Sequence, residues 1–324
     1  MRSFQKTANR VLRTLVCTVI VVAVMAVSLC ALSGLFIPKN NQKAFGMMNQ
    51  EANGILGEPE NTIDVLFIGD SEAFSAFSPM QMWNEQGFTS YVCATSQQQL
   101  PYGNTLLHRA TQNQKPKVVV IETNTIYAPF SIDVAVLRTA QDILPVLEYH
   151  DRWKSATAAD ATTEPQATWT DDLKGFYIYK GVSPTDAAGH MAPSDEVQQI
   201  PILNQQYLQM MISYCRSIGA TPVLVSTPST LCWNTARHNG IAKFAESAGV
   251  DYIDLNVEPT KVPIDWQTDT RDAGDHVNYA GAVKVSSFIG KYLGETYNLP
   301  NHKGDEAYRS WNEAFTRYES RIQE

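Results

Sequence analysis

Ile63-Asp64-Val65-Leu66-Phe67-Ile68-Gly69-Asp70-Ser71 is the stretch that decides the fold. Its first part is short and rich in β-branched and aromatic residues, as expected of a strand buried on both faces in a helix-covered parallel sheet. Gly69-Asp70-Ser71 then breaks the run where the chain must turn towards a helix. Open α/β sheets build their sites in the crevice at the carboxyl ends of their strands. That location makes Ser71 a candidate nucleophile, with its own backbone N–H available to a developing oxyanion. Ser is also a good helix cap, and the tripeptide alone is compatible with either role.

Further along, Val118-Val119-Val120-Ile121 and Pro222-Val223-Leu224-Val225 repeat the pattern, and Tyr91-Val92-Cys93 and Tyr252-Ile253-Asp254-Leu255 read as two more strands. Leu203, Tyr207, Met210, Met211, Tyr214 and Ile218 recur at helical spacing, predicting a helix with this stripe against the sheet. Short strands alternating with helices predict an α/β fold, a three-layer sandwich with a mostly parallel sheet. Residues 156–201 lose periodicity in Ala, Thr, Asp and Pro, which suggests an insertion or lid able to cover the site. Near the end Tyr308, Trp311, Phe315, Tyr318 and Ile322 mark an amphipathic helix within 299–324, docked on the domain or, in a sharper reading, offered to a membrane or partner.

Thr14 to Pro38 carries no charge and is dominated by apolar residues, long enough to cross a bilayer as one helix. Arg2, Lys6, Arg10 and Arg13 precede it, against Lys39 and Lys43 after it, so residues 1–13 are expected in the cytoplasm and the rest outside. A cleaved signal peptide has a shorter apolar region, and the Leu29 before Cys30 does not suit a lipobox. The expected layout is a cytoplasmic 1–13, a transmembrane anchor 14–38, a stalk 39–60, one α/β domain over 61–298, and the terminal helix.

Composition narrows the function. The 324 residues are 44% hydrophobic, with 25 basic and 33 acidic side chains and a net charge of −8, which describes a globular protein without the basic surface that nucleic acid requires. Five cysteines, two of them within the apolar segment, show no paired spacing for disulfides or zinc, and Cys93 and Cys215 read as small buried hydrophobes. There is no Walker-type loop and no GxGxxG after the first strand, so no metal, nucleotide or flavin cofactor is expected.

The far end of the chain supplies a partner for Ser71. In Asp272-Ala273-Gly274-Asp275-His276-Val277-Asn278, His276 precedes the apolar run Ala282, Val283, Val285, Phe288, Ile289, Tyr292 and Leu293, and so lies in a loop before the last helix of the sheet domain. A serine needs a base, and the base needs a group to fix its tautomer. Asp272 is favoured, because a residue a few positions back can fold round to the ring, with Asp275 as the alternative acid. Without Ser71, the segment would read as an Asp/Gly turn with an exposed His.

These two ends together resemble the SGNH/GDSL hydrolase superfamily. The resemblance implies an SGNH/flavodoxin-like sheet, Ser71 as nucleophile, and an Asp and His from one loop before the last helix. In the family that Asp stands three residues before the His, a place held here by Ala273. An oxyanion-hole Gly is expected after the second strand, where Ala94-Thr95-Ser96 stands, leaving a backbone N–H at Thr95 to serve. The family's Asn corresponds to Asn124, another oxyanion donor. Tyr149 to Lys154 and Pro228 to Asn234 look like stretches of membrane-anchored SGNH-like proteins of Gram-positive bacteria and, more distantly, of the family that D-alanylates lipoteichoic acid. On that likeness His150, Arg152 and Trp233 are candidates for gripping substrate, though His150 and Arg152 suit a structural polar cluster equally.

The expected activity is an extracytoplasmic serine esterase or O-acyltransferase on acyl esters of a cell-wall polysaccharide or teichoic acid, with a membrane-bound acyl-donor protein as a partner for transfer. The alternative is a catalytically silent member that binds envelope glycans or assembles a complex.

Overall fold

The computed structural model describes residues 2–323, and the side chains of residues 2–6 and 8 lie outside the described set, Arg2 and Lys6 of the basic flank among them. Five strands form one sheet: β1 (Val65–Gly69), β2 (Ser90–Ala94), β3 (Val118–Glu122), β4 (Thr221–Ser226) and β5 (Asp251–Asp254). Their order is β2-β1-β3-β4-β5 and all pairings are parallel. β1 to β3 are fully buried, which explains their unbroken apolar runs.

The helices longer than one turn are, in chain order, α1 (Arg2–Phe36), α2 (Ser71–Ala76), α3 (Pro79–Gln86), α4 (Leu100–Ala110), α5 (Ile132–Ile143), α6 (Ile202–Ser217), α7 (Thr235–Ala248), α8 (Tyr279–Thr296) and α9 (Arg309–Gln323). Right-handed crossovers put the β1–β2 connection on one face and the connections leading to β3, β4 and β5 on the other. Accordingly α8 packs on α2 and α3, while α4 packs on α6 and α7 on β5. The order reverses at β1, so the crevice between the carboxyl ends of β1 and β3 lies at a topological switch point, with Ser71 directly after β1.

α6 is rotated from the predicted stripe: Met211 is buried and Tyr207 and Tyr214 pack against the core as expected, but the stripe's other members shift. Its sheet-facing residues are Leu208, Met211, Ile212 and Cys215, while Met210 and Ile218 are exposed. Buried Asn204 accounts for the rotation, its amide donating to the carbonyls of Ile126 and Ala128 at 2.9 and 2.7 Å. α9 docks on α3 by burying Trp311 and Tyr318, with Trp311 5.5 Å from Trp83.

α1 contains a 28-residue stretch, Asn9–Phe36, long and apolar enough to cross a membrane. At 1.5 Å per residue it would extend about 42 Å. Residues 39–60 do not stand as a free stalk. Asn41, Ala52, Asn53 and Ile55 are buried, and the Asn41 amide donates to the carbonyls of Asn53 and Trp169 at 3.2 and 2.6 Å. Residues 156–201 lack strands and long helices but are stitched round the domain. Lys174 O accepts from Val92 N–H at the open edge of β2, Tyr177 N–H donates to Phe74 O, and Ser183 N–H donates to Thr270 O.

Candidate active site

Gly69 ends β1 where a side chain has no room, since a Cβ there would stand 2.7 Å from the Cβ atoms of both Ala73 and Glu122. This lets β1 turn sharply into α2. Asp70 caps α2, its Oδ1 accepting the Glu72 N–H at 3.0 Å, so the helix does not depend on the Ser71 hydroxyl for its cap. Ser71 itself is partly exposed at the crevice.

The histidine arrives on a closed turn. Thr270 and Val277 form an antiparallel bridge, and His276 O accepts from Arg271 N–H and Thr270 Oγ1 at 3.2 and 2.9 Å. Between them Ala273 (φ 58°) and Gly274 (φ 95°) are both left-handed. These two residues tighten the turn enough for an acid four positions back to reach the ring. Asp272 Oδ2 lies 2.7 Å from His276 Nδ1, and Asp272 Oδ1 accepts the His276 N–H at 2.7 Å. Asp275 Oδ2 is 3.4 Å from the same Nδ1, and its Oδ1 accepts the Cys232 thiol at 2.8 Å. The extra residue relative to the three-residue spacing is thus absorbed by Ala273-Gly274.

This turn and the Ser71 turn face each other. The carboxyls of Asp70 and Glu72, which flank Ser71, feel the loop's charges: His276 favours ionisation of Asp70 and Asp275 opposes it in both. Donor atoms of Glu72, Cys232 and Asp275 lie within 4.8 Å of one another, as do those of Asp272, Asp275 and His276. These are the groupings among the described residues with a donor set for a cation, and no sequence spacing had signalled them.

Beneath Ser71 lies a buried acid cluster. Burial, followed by the charge of Asp70, pushes both Glu72 and Glu122 well above the ordinary glutamate range. Asp70 is raised by burial, partly offset by hydrogen bonds from Glu72 N–H and the Asn124 amide. Thr227 Oγ1 stands between the two glutamates, 3.5 Å from Glu72 Oε2 and 3.4 Å from Glu122 Oε1. The Cys232 thiol is also pushed up, first by burial and then by its bond to Asp275.

Asn124 is held at both ends: its Nδ2 donates to Asp70 Oδ2 at 2.8 Å, and its Oδ1 accepts from Arg237 Nη1 at 3.1 Å. Thr95 follows β2 and bonds Gln98 Oε1 at 3.1 Å. It lines a cavity of 470 Å³ together with Phe74, Ala94, Phe176, Tyr177 and Arg271. Phe74 sits on the helix that Ser71 opens, and Arg271 adjoins Asp272, its Nε 3.5 Å from Asp272 Oδ2. The Arg271 guanidinium also lies over the half-exposed rings of Tyr177 and Tyr179, at 6.0 and 5.5 Å.

The remaining candidates are placed elsewhere. Trp233 is 3% exposed and donates to Asp254 Oδ2 at 2.9 Å, which leaves little surface for a substrate. Arg152 donates to the carbonyls of Phe36 and Ile37 at the end of α1, at 3.1 and 2.7 Å, and pairs with Asp160 at 2.9 Å. His150 is exposed beside it, its Nδ1 3.3 Å from Leu147 O. These two side chains therefore belong to the junction with α1. A larger cavity of 580 Å³ also lies there, beside Ile37, Pro38 and Tyr149, and contains none of the Ser71 or His276 machinery.

Sequence reasoning missed Glu72, Glu122, Cys232, Arg237 and Arg271. One signal was available, the acid ending an otherwise apolar strand in Val118-Val119-Val120-Ile121-Glu122.

No protein-family model and no curated protein matches the chain. Solved structures do. The chain is similar to GDSL-type acylhydrolases. A lipolytic protein of the G-D-S-L family from Desulfitobacterium hafniense is 13% identical, with a TM-score of 0.41 over 72% of this chain and 100% of that one. A lipase/acylhydrolase from Enterococcus faecalis is 10% identical, with a TM-score of 0.38 over 74% and 98%. A family 3 carbohydrate esterase from Clostridium thermocellum is 11% identical, with a TM-score of 0.39 over 74% and 98%.

Proposed function

We propose that the chain is a membrane-anchored, extracytoplasmic serine hydrolase of the SGNH type that cleaves or transfers acyl esters on a cell-envelope polysaccharide or teichoic acid. The observation that carries this is the 2.7 Å contact between Asp272 Oδ2 and His276 Nδ1, on the turn whose Asp275 comes within 4.8 Å of Glu72, the residue after Ser71. With Nδ1 so engaged, Nε2 is the ring atom free to act as base. Ser71 Oγ attacks the ester carbonyl while His276 takes its proton. The oxyanion is held by the Ser71 N–H, a backbone N–H near Thr95 and the Asn124 amide. Collapse expels the alcohol, which receives the proton from His276. Water, or a hydroxyl of the acceptor polymer, then attacks the acyl-Ser71 with His276 again as base, giving hydrolysis or transfer.

The cavity lined by Phe74, Thr95, Tyr177 and Arg271 supplies the cleft for the ester-bearing unit. The basic residues before the apolar segment favour a cytoplasmic N-terminus, placing the cleft outside, where a separate membrane-bound protein can deliver the acyl group in the transfer reading. One observation favours a catalytically silent glycan-binding or scaffolding protein instead: the Asn124 amide is engaged by Asp70 and Arg237, and buried carboxyls lie beside the oxyanion position.

Turnover of 4-nitrophenyl acetate and of an O-acetylated polysaccharide by the full chain in detergent separates these. Acetate release lost in Ser71→Ala supports catalysis, and acetyl transfer to an added glycan in place of water supports the transferase. No turnover of either ester, in wild type as in Ser71→Ala, rejects catalysis for the silent reading.

A further inference from the structure

The last turn of α1 is gripped by the domain. Arg152 Nη1 donates to the carbonyls of Phe36 and Ile37, and Lys39 Nζ donates to Gly34 O at 2.8 Å, cations placed where a helix C-terminus favours them. Val146 N–H donates to Ser33 Oγ at 3.2 Å, and Ser33 is itself buried. Ser33 lies three residues before the end of the apolar stretch at Phe36, so Val146 sits about 4.5 Å inside that end at 1.5 Å per residue.

Residues 146–152 therefore share their level with the end of the apolar helix, and an exposed apolar side chain stands on either side of them, Ile143 before and Trp153 after. Ile143 is 71% exposed and Trp153 is 64% exposed, with Lys154 Nζ, ion-paired to Asp151 at 2.8 Å, 5.9 Å from the Trp153 ring centre. Ile143 ends α5, which carries Ile132 and Val136 on the same stripe, 66% and 62% exposed. In water such a stripe has nothing to gain from exposure. At a bilayer boundary Trp and apolar side chains enter the acyl margin while Lys reaches the headgroups.

We propose that Ile143, Trp153 and the α5 stripe rest in the headgroup boundary of the bilayer that α1 crosses, so that the domain lies on the membrane in a fixed pose. The proposal rests on α1 spanning the membrane. Ile143 and Trp153 adjoin the contact between α1 and the domain through Val146 and Arg152, and the rest of the α5 stripe extends from Ile143 along a groove shared with Leu203 and Tyr207 of α6; this continuity selects lipid as the occupant.

The test uses the full chain in phosphatidylcholine nanodiscs containing doxyl-labelled lipid, with Cys17, Cys30 and Cys232 changed to Ser. A polarity-sensitive fluorophore is attached at Val24→Cys, Ile143→Cys, Trp153→Cys or, as a solvent control, Glu246→Cys. Deep-label quenching at position 24 reports the span. Shallow-label quenching at 143 and 153 at least about twofold above position 246 supports the surface contact. Quenching at 24 with 143 and 153 no different from 246 overturns the proposal while leaving the span in place. No quenching at 24 overturns the span, and the proposal with it. Both test positions are exposed, so neither substitution removes a core contact.

Discussion

Asp272→Asn isolates the joint on which the site depends. Asp272 makes two 2.7 Å contacts to His276, to the backbone N–H through Oδ1 and to ring Nδ1 through Oδ2. An amide keeps one oxygen for one of these and offers an NH₂ at the other, which can hold the imidazole in the wrong tautomer. In a buried triad that substitution costs about 10⁴ in kcat. Here the Asp272 side chain is 39% exposed, so water screens its charge and part of the penalty. The expected loss is about 10²–10³-fold in kcat/KM, or about 2.7–4 kcal/mol at 1.36 kcal/mol per tenfold. Asp275→Asn alters a 3.4 Å contact whose carboxylate is also engaged by the Cys232 thiol, so its loss stays within about tenfold. Initial rates on 4-nitrophenyl acetate for both variants of the full chain decide the matter. Asp275→Asn losing more than Asp272→Asn, or Asp272→Asn staying within about threefold of wild type, would refute Asp272 as the orienting acid.

The buried glutamates predict a pH dependence of stability. Their pKa is raised on folding, so the folded state keeps protons that the unfolded chain releases above about pH 4.3, and stability declines as pH rises from there through the folded pKa. Melting temperature against pH should show this decline in wild type and a shallower one in Glu122→Gln; an unchanged slope contradicts the buried acid. Gly274→Ala must place a Cβ 1.9 Å from Thr230 Oγ1 at φ +95°, which should cost about 1–3 kcal/mol in chemical denaturation and lower esterase activity as the turn shifts. Wild-type stability would show that the turn tolerates a side chain. Trp311→Ala empties a site packed on Trp83 and under Lys174 and should cost about 3–5 kcal/mol; a loss below about 1 kcal/mol would make α9 an appendage rather than part of the domain.

The sheet was legible because its strands are buried on both faces, and a short β-branched run has few other uses. Ser71 and His276 could be singled out as candidates because each sits at an element boundary, where open α/β folds build their sites. Chain geometry favoured Asp272 over Asp275, and Asp272 is the nearer to the ring at 2.7 against 3.4 Å, but the left-handed pair Ala273-Gly274 that allows a four-residue spacing was not readable, since Ala rarely adopts that conformation. The acid cluster was hidden because it depends on β1 lying beside β3, which brings Glu122 against Gly69 across more than half a hundred residues of chain. The role of Arg152 stayed open between substrate and structure for a related reason: its polar partners are the terminal carbonyls of α1, which periodicity cannot assign to a distant side chain.

The most direct test of the proposed chemistry is peptide mass mapping of the full chain after reaction with a fluorophosphonate. A serine activated by His276 predicts a single phosphonyl adduct on Ser71, absent in Ser71→Ala and strongly slowed in His276→Ala. An unmodified Ser71 in the wild type, or an adduct forming equally fast without His276, would contradict it.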